Sequence, residues 1–253
     1  LGHASGHTPS ACRGVIDFFG MRVQPYTVGS YMHALKRGAR GLPITKDKLD
    51  QWRFVRLLYY MNDIYSDDSW EKETNGIGMF GRPEHWPQRQ PIVKILAWTL
   101  MPNHFNLLLK EIKEDGISKF MQKLGNSMST HANLKYKEKG SLFQGAYKGR
   151  TVSQDRYLQY LAPYIMVKNV FELYPGGYKT AVSRFDHAWK WALEEYPFSS
   201  LADYVEGRNS PIIDKDILGD WYKSKKLFYH SAKDMILSRK LEGDTVFKMV
   251  AGE

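Results

Sequence analysis

His104 and Asn106 stand two residues apart in Met101-Pro102-Asn103-His104-Phe105-Asn106-Leu107-Leu108-Leu109, at the end of a long apolar run that begins at Ile92. Strand-forming runs at 92–100 and 105–109, separated by Met101-Pro102-Asn103, predict a β-hairpin. Strand side chains alternate faces, so His104, Asn106 and Leu108 point one way while Phe105, Leu107 and Leu109 point the other. One face is apolar. The other carries an imidazole beside an amide, and both groups have a lone pair to offer a metal ion. An amide oxygen suits hard ions such as Mg²⁺ or Mn²⁺ but is a poorer ligand than imidazole for softer metals.

A second concentration of chemistry lies between Leu134 and Arg150. Lys135, Lys137, Lys139, Lys148 and Arg150 accompany one acid, Glu138, and are interleaved with Tyr136, Phe143 and Tyr147. Cations neutralise phosphates and bases stack on rings, so the pattern suits a single-stranded nucleic acid, although a run of charge serves equally well as a solvated face. Arg37 and Arg40 add a basic, glycine-rich turn nearer the start.

The elements that must position these groups follow from periodicity. Residues 23–36 read as a first strand containing His33. Residues 46–64 read as an amphipathic helix through Trp52, Phe54, Val55, Leu57 and Leu58. Ile117, Phe120, Met121, Leu124 and Met128 mark a second helix, with Asp115 and Ser118 as candidate caps. A third runs over 153–170 and contains Pro163, which removes a backbone hydrogen bond and predicts a kink just before Tyr164. A fourth covers 181–194. The long connection 65–90 is polar, with Trp70, Phe80 and Trp86 scattered through it, and predicts either function or mobility.

The chain has 253 residues, ample for a sizeable core without disulfides. Its one cysteine, Cys12, has no intramolecular partner, which fits a reducing, cytoplasmic setting. No apolar run reaches the length of a membrane span. Lys and Arg number 36 against 27 Asp and Glu, giving a formal charge of +9 and a pI near 9.4. That balance favours a polyanionic partner. Residues 1–21 read as a poorly ordered or cloning-derived leader, with Met21 as a candidate natural start.

LAWTLMPNHFNLLL resembles the corresponding segment of single-tyrosine, insertion-sequence-200-like transposases, and most closely their REP-associated branch, where it reads Met-Pro-Asn-His-U-His with U bulky and apolar. GSLFQGAYKGR is similar to a second segment of that family, and YMHALKRGARGLPI to its opening strand and Arg-Gly turn. The resemblance implies a metal-dependent single-strand DNA endonuclease and strand transferase that uses Mg²⁺ or Mn²⁺ on hairpin-bearing ends. It carries the nucleophile onto Tyr164 and a metal site onto His104, Asn106 and Asn169. The expected DNA contacts, read from the basic and aromatic segment and the Arg-Gly turn, are Lys135, Lys137, Lys139, Phe143, Tyr147, Lys148, Arg150, Arg37 and Arg40.

Two departures from the family pattern stand out. Asn106 replaces the second histidine, and Lys168, without a lone pair, occupies the position of the third ligand, leaving Asn169 one residue beyond it. The alternative is therefore a catalytically impaired or domesticated protein that binds hairpin DNA. A more distant rival, an RNA-binding module, lacks its glycine-rich aromatic signature. The implied fold is α/β (α+β): a ferredoxin- or RRM-like antiparallel sheet carrying the hairpin centrally, helices on one face and the tyrosine helix over the site. The expected organisation is a leader over 1–21, a transposase core over 22–175 and a helical C-terminal extension over 176–253. The expected partner is single-stranded or hairpin DNA, not a membrane, with the chain a monomer or homodimer.

Overall fold

The computed structural model describes residues 26–238, so the expected leader, Cys12 and the start of the first predicted strand lie outside the described residues. Strand β1 (Tyr31–Arg37) is followed by α1 (Lys48–Tyr60), a short α2 (Trp70–Glu73), and the hairpin β2 (Val93–Met101) and β3 (His104–Glu111). Next come α3 (Gly116–Tyr136) and β4 (Lys148–Val152). The sheet order is β2-β3-β1-β4 and every pairing is antiparallel. Strand, helix, two strands, helix, strand in that order is the ferredoxin-like arrangement expected from the sequence.

The hairpin turn is one residue tighter than the sequence suggests. Met101 pairs with His104, so Pro102 and Asn103 alone make the turn and His104 belongs to β3. A bulge between Ile95 and Ala97 shifts the register of β2, so that Leu96 and Ala97 both join the core on the side of Leu108. β3 is central while β2 lies at the sheet margin, where the C-terminal segment covers it. Leu100 N–H donates to Phe198 O, and Ser200 N–H to Trp98 O, each at 3.0 Å. This covers an edge that would otherwise expose unpaired backbone groups.

Alternation on β3 divides the interior in two. Phe105, Leu107 and Leu109 face α1 and α3 and pack with Phe54, Leu58, Phe120 and Leu124. Each such fully buried side chain contributes roughly 1.5–3 kcal/mol. Leu108 joins the opposite core. There the sheet is covered by α4 (Asp155–Pro163), a π-turn over Tyr164–Lys168, and α5 (Asn169–Phe171). The covering layer continues through α6 (Gly177–Ser183), α7 (Phe185–Glu194), α8 (Leu201–Val205), α9 (Asp216–Trp221) and α10 (Lys225–Leu237). The sheet thus carries helices on both faces, and residues from either side of position 175 share the second core.

Three local expectations are corrected. The helix expected over 181–194 is two helices, broken at Arg184 (φ −121°, ψ 43°). Asp115 makes no capping bond at the start of α3. Instead Glu111, at the end of β3, accepts from the N–H groups of Gly116 at 2.9 Å and Ile117 at 2.7 Å, meeting the positive helix end with a carboxylate. The connection 65–90 is packed: Trp70 lies against Tyr60, Phe80 against Tyr59 and Trp86 against Tyr65. Arg82 pairs with the buried Asp63 at 2.8 Å.

Candidate active site

His104 and Asn106 leave β3 on the face covered by the π-turn. Cross-strand neighbours on that face are Arg37, Leu35 and His33 from β1, then Lys148 and Arg150 from β4 beyond. His33 Nε2–H donates to Asn106 Oδ1 at 2.9 Å, and both residues are buried. His104 Nδ1–H donates to Asn103 Oδ1 at 2.8 Å, which leaves its Nε2 lone pair. Burial lowers both imidazoles to a pKa of about 4. Arg150 adds to the effect at His33, and Arg37, Lys168 and His33 add to it at His104. Both rings are neutral at pH 7. His33 thus belongs to the site itself. The sequence offered its alternation parity but not the β1–β3 register that sets it beside Asn106.

The kink expected at Pro163 is a π-turn. Asn169 N–H bonds to Tyr164 O, a span of five residues where an α-helix closes four, so Asn169 takes the backbone place over Tyr164 that residue 168 would hold in a regular helix. The Thr99 hydroxyl of β2 donates to Ile165 O and ties the turn to the sheet. Asn169 is buried and its Nδ2 has no hydrogen-bond partner among the described residues.

Tyr164 is only 5% exposed. Its ring meets His33 edge-on, with centroids 6.4 Å apart, and stacks with Tyr160 at 6.5 Å. Burial pushes the phenol above its ordinary pKa, Glu172 and the neighbouring tyrosines add to that, and Arg37 opposes it. The hydroxyl is therefore protonated at neutral pH. Lys168 lies with Nζ 5.1 Å from the centre of the Tyr164 ring and pairs with Glu172.

The expected metal ligands test poorly as a set. His104 offers one nitrogen, Asn106 Oδ1 is taken by His33, and an ammonium stands near enough to act on His104. Among the described residues no three His, Cys, Asp or Glu side chains group as a cation site. His104 keeps its Nε2 lone pair for a cation, whereas Asn106 Oδ1 already accepts from His33, and the positive charge of Arg37 and Lys168 on this face opposes cation binding.

The basic and aromatic segment divides. Lys148 and Arg150 lie on the site face with Arg37, and Arg150 rests over Tyr157 at 5.7 Å. Lys135 instead binds Asp47 at 2.7 Å and Asp50 at 2.8 Å on α1, in the other layer. Phe143 and Tyr147 are 3% and 9% exposed and belong to the first core, with Phe143 against Phe105 at 6.1 Å. Their rings are closed to stacking bases, a correction to the expected interface. Lys137 and Lys139 are exposed just beyond α3, and Arg40 is exposed in a short helical turn.

Residues 88–168, which span the hairpin, the basic segment and Tyr164, match the family model described as transposase IS200 like. The resemblance to insertion-sequence-200-like transposases is thereby shown over this segment. A search of curated proteins returns no match. Among solved structures, one described as a REP-associated tyrosine transposase bound to a REP hairpin is 15% identical, with a TM-score of 0.42, covering 77% of this chain and 90% of that one. No helix among the described residues is long and apolar enough to cross a membrane.

Proposed function

We propose that the chain acts on single-stranded, hairpin-bearing DNA as a REP-associated type of tyrosine transposase, with Tyr164 as the nucleophile. The observation that carries this reading is the meeting of Tyr164 with the histidine face of the hairpin, inside the segment matched to the transposase family. Arg37, Lys148 and Arg150 on the same face supply charge for a phosphate backbone. In the reaction, Tyr164 Oη attacks phosphorus and the P–O3′ bond breaks. The protein is left linked to the 5′-phosphate, and the departing 3′-oxygen takes up a proton. The phenol loses its own proton as it attacks while the departing 3′-oxygen gains one, so the step requires no net proton.

The second reading, hairpin binding without cleavage, is favoured by the engagement of Asn106 with His33. A labelled hairpin oligonucleotide with a single-stranded tail, incubated with the protein and run on a denaturing gel, separates the two. A covalent adduct that is lost in Tyr164→Phe supports cleavage. Binding without any adduct supports the second reading.

A further inference from the structure

We propose that Lys168, together with Arg37, forms a phosphate-binding subsite beside Tyr164, in which a fixed ammonium holds the DNA backbone without a divalent ion. The inference rests on the reading of this face as the one that meets DNA.

Four observations converge on it. Lys168 is 8% exposed, yet its charged end sits against the rings of Tyr164 at 5.1 Å and Tyr178 at 5.7 Å rather than in bulk water. A charge so placed acts through a medium of low polarity, where its pull on an anion is several times that of a solvated lysine. Arg37 is exposed, directly opposite His104 in the sheet, and has no acidic partner among the described residues. It stands on the sheet face against which the π-turn carrying Lys168 packs. Asn169, next to Lys168 on the π-turn, carries a buried amide N–H group without a partner among the described residues, a donor that a phosphate oxygen would satisfy. Finally, Glu172, one turn on and paired with Lys168, has a side chain 37% exposed that can swing into solvent when a phosphate arrives.

The arrangement follows from the chain's departures from the family pattern. With Asn106 bonded to His33, one expected cation donor is engaged, and the π-turn leaves both Lys168 and Asn169 near Tyr164. Positive charge is then supplied by the protein itself, as an ammonium and a guanidinium supply it at other phosphate sites.

A merely structural Lys168–Glu172 pair and a phosphate subsite make opposite forecasts. If the pair only stabilises the helix, Lys168→Met and Glu172→Gln have like effects. If Lys168 holds phosphate, Lys168→Met weakens DNA binding while Glu172→Gln, which removes a competing anion, tightens it. The test measures binding of the labelled hairpin by fluorescence anisotropy over a range of salt, in EDTA and in Mn²⁺, for the unmodified chain, Lys168→Met, Lys168→Arg and Glu172→Gln. Expected results are equal affinity in EDTA and Mn²⁺, and a loss of about tenfold in Lys168→Met. The salt slope should fall by about 0.7 for that variant, with recovery in Lys168→Arg. In parallel, inorganic phosphate in EDTA should raise the melting temperature of the unmodified chain more than that of Lys168→Met. Hairpin binding that requires Mn²⁺, or that is unchanged in Lys168→Met, overturns the subsite. A phosphate response that depends on Lys168, with no hairpin binding by the unmodified chain, keeps the subsite and overturns the DNA reading. Absence of both responses overturns both.

Discussion

Acid should weaken this fold through its buried imidazoles, before Asp50 and Asp216 titrate. His33 and His104 are held neutral, with pKa values lowered by burial from 6.5 to about 4, so the unfolded chain binds their protons more readily than the folded one. Stability is therefore full above pH 6.5 and is lost as pH falls toward 4. At about pH 4.5 each imidazole alone costs about 2.5 kcal/mol relative to neutral pH, with a limiting slope of about 1.4 kcal/mol per pH unit. Because His33 itself contributes to the lowering at His104, the two losses are not strictly additive. Asp50 and Asp216 do not contribute in this window. Burial would raise both, but partners led by Lys135 and Lys94 hold them well below the usual carboxylate range, so their share is lost only below 3.8. Glu111, raised by burial, works in the opposite direction, and a comparison with a variant cancels it. Urea unfolding of the unmodified chain and His33→Gln, at steps from pH 7 to 4.5, reads the difference. Glutamine keeps an N–H for Asn106 but cannot charge, so the variant should lose about 2 kcal/mol less over that interval. Equal slopes in the two proteins would refute the buried, neutral His33.

Other consequences are equally specific. Replacing Asn106 with His should raise Mn²⁺ affinity measured by calorimetry, since β3 already aims the side chain at the site. Equal affinity in both forms would mean that Asn106 ligates despite its bond to His33. Lys135→Met should lower the melting temperature, because it removes the ammonium paired with the buried Asp50, while leaving the salt slope of DNA binding unchanged; Lys148→Met and Arg150→Met should each reduce that slope by about 0.7 on single strands. Gly38→Ala should destabilise by more than about 1 kcal/mol in denaturant unfolding, since its Cβ would fall 2.2 Å from Leu42 O.

Much of the frame was legible because alternation is a strong signal. The assignment of His104, Asn106 and Leu108 to one face and Phe105, Leu107 and Leu109 to the other holds, as do the helix between β1 and β2 and the disturbance at Pro163. What the sequence could not supply was register and burial. A tyrosine or phenylalanine among lysines reads alike whether its ring stacks on a base or fills a core, and Phe143 and Tyr147 do the latter. Lys135 reads as a free cation until α1 folds back to bring Asp47 and Asp50 against it. The pairing of His33 with Asn106 depends on a strand alignment between segments far apart in the chain, which no local pattern encodes. The π-turn needed the sheet as well as Pro163, since Thr99 anchors its carbonyl.

The central claim is that Tyr164 is the residue that attacks DNA, and the most direct measurement is the mass-spectrometric mapping of the covalent attachment. After trypsin treatment of protein incubated with the hairpin oligonucleotide, the segment after Arg156 and ending at Lys168 carries three tyrosines, Tyr157, Tyr160 and Tyr164. Fragmentation should place the nucleotide remnant on Tyr164. A remnant on Tyr157 or Tyr160, or an adduct that persists undiminished in Tyr164→Phe, would contradict the account.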